Sequence, residues 1–163
     1  MRPSRFQEFC LTSLTAPDIK AVDSWHEPGR RPFGLEVTFS RGSRLWLGIT
    51  ASAAPGEKYG QPETPVTGAC LPEEPWPTLY DVVKGSITAD SAERYLAAAL
   101  TNTCHVEIAR VWTYTASARD TLPRQPGVGV EFHSGARIFL PMIHTARPEQ
   151  PRGNTAFRLQ EQF

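Results

Sequence analysis

The chain has 163 residues, 40% of them apolar and 21% charged, which suits one domain with a real core and argues against wholesale disorder. Seventeen basic and seventeen acidic side chains cancel, with a pI near 6.9. That balance excludes a strongly basic nucleic-acid coat and an acidic tail protein, although it leaves room for a local patch.

The first predicted element is a short helix near the start, with Ser4 as a cap and Phe6, Phe9 and Cys10 at i, i+3, i+4. A strand follows around residues 19–25. Residues 35–49 then read as a β-hairpin. A loop of Ser40, Arg41 and Gly42, with Gly42 in the left-handed region, puts Leu35, Val37, Phe39, Leu45, Leu47 and Ile49 on one face. A two-residue loop would mix both faces, so the three-residue loop is the expected one.

Residues 51–87 read as an acidic, irregular connection. Six of the fifteen prolines fall between Pro55 and Pro77, which forbids a central strand and discourages helix. Residues 51–93 carry two basic and seven acidic groups, between a mildly basic start and end. One short helix is expected over residues 78–85, capped by Thr78 and stopped by Gly85. The segment from Glu57 to Asp81 is expected to lie over basic surface. A second helix follows, capped by Asp90 with Glu93 three residues on, its apolar stripe Ala92, Tyr95, Leu96, Ala99 and Leu100, its stop Asn102. A strand around residues 106–114 and a second hairpin complete the pattern. There Val128, Val130, Phe132, Ile138, Leu140 and Met142 segregate, Gly135 closes the loop, Arg137 faces Glu131, and Phe139 faces and covers Gly129.

The two hairpins align at an offset of 93, with Val37, Phe39, Gly42, Arg44 and Leu47 matching Val130, Phe132, Gly135, Arg137 and Leu140; upstream the offset is 89. The expected fold is therefore α+β: an internal duplication of an α-β-β-β unit, antiparallel sheet with helices packed on the aliphatic face, and a long Pro-rich connection. It divides into one unit over about residues 3–50, the connection over 51–87, the second unit over 88–145 and a tail over 146–163, all in a single pseudo-symmetric domain.

Chemistry is sparse. No phosphate-binding loop, dinucleotide fingerprint, nucleophile elbow or zinc-protease motif occurs. His26, His105, His133 and His144 suggest no metal site, and no cofactor is expected. Cys10, Cys70 and Cys104 are an odd number with no C-x-x-C, so they read as free thiols of a reducing compartment. No apolar run approaches the roughly 20 residues a spanning helix needs, and the start is polar and broken by Pro3. A cytoplasmic protein without a membrane partner is expected. Fourteen arginines against three lysines fit a GC-rich bacterial genome.

What remains is an Arg-plus-aromatic pair on the outer face of each hairpin: Arg44 with Trp46, and Arg137 with Phe139. The bland reading has these aromatics covered by the rest of the chain. The functional reading is a non-catalytic binding or adaptor module that recognises a protein partner, or a second copy of itself, through these four residues. One alternative is a nucleic-acid binder using Arg30, Arg31, Arg41 and Arg44, disfavoured by zero net charge. Another is a small enzyme using Cys104 or a histidine.

Overall fold

The computed structural model describes residues 1–58, 60–117 and 125–163, without the Ser117 side chain. In chain order it has α1 (Pro3–Ser13), β1 (Ile19–Ser24), β2 (Gly34–Phe39), β3 (Arg44–Gly48), β4 (Thr50–Ser52), α2 (Ala89–Thr101), β5 (Ile108–Thr113), α3 (Tyr114–Ser117), β6 (Gly127–Phe132) and β7 (Arg137–Ala146). The strands make one curled antiparallel sheet in the order β1-β2-β3-β7-β6-β5, with β4 beside β7. The class is α+β.

Both hairpins take the register that the segregation of their aliphatic residues requires. In the first, Leu35 faces Leu47, Val37 faces Leu45 and Thr38 faces Arg44. The Phe39 amide donates to the Ser43 carbonyl at 2.9 Å, which closes a three-residue loop with Gly42 at φ 91°. In the second, Val130 faces Ile138, Glu131 faces Arg137 and Gly129 faces Phe139; the Phe132 amide donates to Ala136 at 2.9 Å, and Gly135 has φ 84°. A positive φ costs a side-chain-bearing residue energy that glycine avoids. The aliphatic face of both hairpins is buried in one core with Phe6 and Cys10 of α1 and Ala92, Tyr95, Leu96 and Leu100 of α2. Burial pushes the Cys10 thiol pKa up.

Finer details recur between residues 3–52 and 89–146. The β1–β2 register breaks between Ile19 and Ala21, and the β5–β6 register between Ile108 and Arg110. Ser40 donates its amide to the Asp18 carbonyl, and His133 to that of Glu107, both at 2.9 Å. Ile49 donates to Phe33 at 3.0 Å and Met142 to Pro126 at 2.9 Å.

The helix caps differ from expectation. Pro3 sits in the first turn of α1 and no side chain caps it, so Ser4 lies inside the helix. In α2 the box is made by Thr88 and Ser91, each accepting from the other's amide. That leaves Asp90 in the first turn and sends Glu93 inward. Asn102 ends the helix as expected.

No helix forms over residues 78–85. Tyr80 pairs instead with Ile87 in an antiparallel bridge, and the Asp81 carboxylate accepts from the amides of Val83 (2.9 Å) and Lys84 (2.7 Å). These local acceptors hold a tight turn where a helical ladder would otherwise run. The expectation of three free thiols is overturned as well: Cys70 is disulfide-bonded to Cys104, and only Cys10 is free. Asn102 reinforces the staple by exchanging hydrogen bonds with the Glu74 backbone (2.7 and 2.9 Å), and Gly68 donates to Val106 at 2.7 Å. Acids of the middle stretch do sit on basic groups, but on those at the start of the chain and in the first turn of α1. Glu57 meets Arg2 at 2.8 Å, and Glu63 meets both Arg5 (2.9 Å) and the Met1 amine (3.0 Å).

Residues 147–163 return across the sheet. Phe163 is 1% exposed, packs near Phe39, and exchanges backbone hydrogen bonds with Ile87 at 2.7 and 2.9 Å. No helix among the described residues is long and apolar enough to cross a membrane.

Candidate functional site

Strand pairing lines up side chains in rows across the outer face of the sheet. In the first half one row runs Asp23, Glu36, Trp46, His144. In the second the matching row runs Trp112, Gly129, Phe139, Thr50, and the next runs Arg110, Glu131, Arg137, Ser52.

The first-half row is closed at its Trp46 and His144 end. Trp46 is 2% exposed and lies in a small second core with Trp25, Ile143 and Ala146, which Ala156 of the returning segment covers. Its indole N–H donates to Glu36 Oε2 at 3.0 Å, while Arg44 donates to Glu36 Oε1 at 3.2 Å and stacks on the indole. Arg44 also donates to the Gln150 carbonyl at 2.6 Å. Arg152 stacks over Trp25, and the Phe157 amide donates to the Ile143 carbonyl at 2.8 Å. His144 sits edge-on to both tryptophans, and burial with Arg152 nearby pushes its pKa down. The expectation of Trp46 and Arg44 as an open surface is therefore corrected. An indole needs a partner for its N–H and cover for its rings, and the chain supplies both.

The second-half row is built differently. Gly129 has no side chain, and the Trp112 ring lies where one would be. Trp112 therefore covers the bare backbone at Gly129, where Phe139 was expected to. Trp112 and Phe139 meet edge to face at 6.2 Å, and Arg110 lies over Trp112 at 5.7 Å. Arg137 pairs with Glu131 at 3.4 Å, as the register implied. Trp112 and Phe139 are half-buried, and among the described residues they belong to neither hydrophobic cluster. Trp112 escaped the sequence reading because only the β5–β6 register brings it over a glycine.

Arg30, Arg31, Arg41 and Arg44 do not form one basic patch. Arg30 and Arg31 both pair with Glu27, Arg44 pairs with Glu36, and Arg41 stacks on Tyr80 at 4.2 Å. Neighbouring carboxylates neutralise three of the four. Cys104 is no free nucleophile, because it is bonded to Cys70. The histidines stay apart: His26 is exposed, His105 packs on Phe9, His133 lies against Gly68, and His144 is buried. Among the described residues no His, Cys, Asp and Glu cluster could hold a metal ion. Compared with known proteins, the chain matches no family model, no curated protein and no solved structure.

Proposed function

We propose that this chain is a non-catalytic binding module, built by internal duplication of an α-β-β-β unit, whose second-half outer face takes a polypeptide segment of a protein partner. The observation that carries this reading is the treatment of the first-half face. There a looped stretch of the chain itself is held by apolar contact of Ala156 to the cluster of Trp25, Trp46 and Ile143, by a backbone hydrogen bond from Phe157 to Ile143, and by Arg44 gripping the Gln150 carbonyl. A face of this construction accepts polypeptide. The second-half face offers the same ingredients, two aromatic rings with an arginine in the Arg44 position, outside both cores. In that role Trp112 and Phe139 bury apolar area while Arg110 and Arg137 fix the backbone of the incoming segment. The recurring register break and loop-closing hydrogen bonds support duplication, since local sequence alone does not require them twice.

Peptide display against the folded chain tests this. Enriched peptides should lose binding on Trp112→Ala and on Arg137→Ala, while Trp46→Phe leaves it intact. Failure to enrich any peptide, or peptides indifferent to Trp112 and Arg137, would overturn the reading.

A further inference from the structure

Arginines elsewhere in this chain are mostly neutralised: Arg2, Arg5, Arg31, Arg44 and Arg137 each meet a carboxylate. Three cations depart from that pattern, and all three line one cleft of about 380 Å³. Arg41 comes from the β2–β3 loop, Lys84 from the turn after Tyr80, and Arg147 from just beyond β7. No ion pair joins any of them to a carboxylate among the described residues. Ser43, Gly85 and Ser86 complete the part of the wall that matters.

Two of the three cations are held in place. Tyr80 accepts the Arg41 amide at 3.0 Å and shares a hydrogen bond with the Ser40 hydroxyl at 2.8 Å, and the Arg41 guanidinium carbon lies over its ring, 4.2 Å from the centroid. Gly85 has φ 66°, and a Cβ there would come within 2.6 Å of Arg41 Nη1. The positive φ is what calls for glycine at this turn, and a side chain there would displace the Arg41 guanidinium. Arg147 donates from Nε to the Gln162 carbonyl at 3.2 Å, and no hydrogen bond engages its two Nη groups among the described residues.

A second observation points the same way. The Ser86 hydroxyl is the one buried side-chain polar atom among the described residues with no hydrogen-bond partner. Buried hydroxyls are ordinarily satisfied, and an unsatisfied one calls for a missing partner. Like charges around one cleft and an orphaned donor in its wall are each unfavourable alone; an anion in the cleft offsets the first, and accepts from the second once the Ser86 side chain turns toward it.

We propose that this cleft binds a phosphate-type anion, the phosphomonoester of a small molecule or of a lipid headgroup, gripped by Arg41, Lys84, Arg147 and the Ser86 hydroxyl. Planar guanidinium donors suit a tetrahedral oxyanion, and the ammonium adds a point charge. Val82 and Val83 are each 93% exposed on the turn that carries Lys84. If the phosphate belongs to a lipid, these two side chains enter the bilayer beside it. The cleft shares no residue with the proposed polypeptide-binding face, so the two readings stand or fall separately.

The test is a titration of the full chain with inorganic phosphate at fixed ionic strength, followed by backbone and guanidinium NMR shifts. Saturable shifts are expected at Arg41, Lys84, Ser86 and Arg147. Arg41→Gln and Lys84→Gln should each weaken binding by roughly tenfold or more, and Lys20→Gln should not. Ser86→Ala should weaken binding while leaving the melting temperature of the unliganded chain unchanged or raised, which separates ligand contact from folding. Non-saturable shifts, equal shifts with chloride, or unchanged affinity in all three cleft variants would overturn the proposal. Phosphatidic-acid vesicles, with phosphatidylcholine vesicles as control, then identify the source. Binding lost on joint Val82→Ser and Val83→Ser, with phosphate affinity kept, assigns a lipid; phosphate binding without vesicle binding assigns a soluble ligand. Vesicle binding without any phosphate response refutes the site.

Discussion

Glu93 offers the sharpest test of how α2 is locked to the sheet. Its carboxyl group is fully buried, with 0% exposure. Oε1 accepts from the amides of Tyr114 (2.9 Å), Thr115 (3.3 Å) and Gly127 (2.8 Å), and Oε2 accepts from the Thr115 hydroxyl. One side chain thus satisfies the backbone where β5 ends and β6 begins. Glu93→Ala removes the acceptor for three amides and opens a cavity. Each orphaned buried donor costs about 1–3 kcal/mol, moderated where water enters, so a total of roughly 3–5 kcal/mol is expected. At 2–4 °C per kcal/mol for a chain of this size, the melting temperature should fall by roughly 6–20 °C. Glu93→Gln is the informative partner. Its carbonyl can take the Oε1 position and keep all three amides, while its NH₂ faces a hydroxyl that can rotate to accept. Its cost should be about 1–2 kcal/mol. Calorimetric melting of both variants, with hydrogen exchange at Tyr114 and Gly127, checks the ordering. Equal melting temperatures for the two, or a Glu93→Ala variant as stable as the parent, would refute the assignment of Glu93 as an amide acceptor.

Trp46→Ala should cost about 3–5 kcal/mol in chemical denaturation, because it empties the second core and strips Glu36 of a donor; Trp112→Ala should cost clearly less. Replacing Cys70 and Cys104 together by serine should lower stability by roughly 2–4 kcal/mol, the range for a loop of 34 residues, and limited proteolysis should then cut near Leu71. Acid titration should single out Glu63. Burial would raise its pKa, but the Arg5 guanidinium and the Met1 amine hold it down at about 2. A depressed carboxylate contributes stability that is present above the ordinary carboxylate range and lost as pH falls from there toward 2. Glu63→Gln should therefore narrow the stability difference between neutral pH and about pH 2, measured by denaturant midpoints.

The parts of the fold legible in the sequence are those governed by neighbours. Alternation in residues 35–49 and 128–142, with a glycine at the third loop position, is enough to choose the register of both hairpins and to place Arg137 against Glu131. The illegible parts depend on residues far apart in the chain. Cys70 meets Cys104 only because the middle stretch crosses the end of α2, and neither spacing nor parity signals that. Thr88 and Asp90 are both competent caps, and the Tyr80–Ile87 bridge delivers the chain to Thr88. Glu93 scans as the partner of a helix cap and acts as a clamp on the sheet. The burial of Trp46 follows from residues 147–163, whose path no local pattern reveals.

The middle seam of the sheet has a kinetic consequence. Each hairpin joins near neighbours, but β3 and β7 bring Arg44 against Ala146 and Leu47 against Met142, across ~100 intervening residues, and α1 reaches as far to set Phe6 against Phe132. Closing so long a loop is entropically costly until most of that seam zips at once. The two halves should therefore gain local order quickly and become cooperative only when the seam closes. Substitutions at Leu45 or Ile143 would then speed unfolding more than they slow the first collapse, and a chain cut between the halves would require both pieces before either kept its tertiary packing.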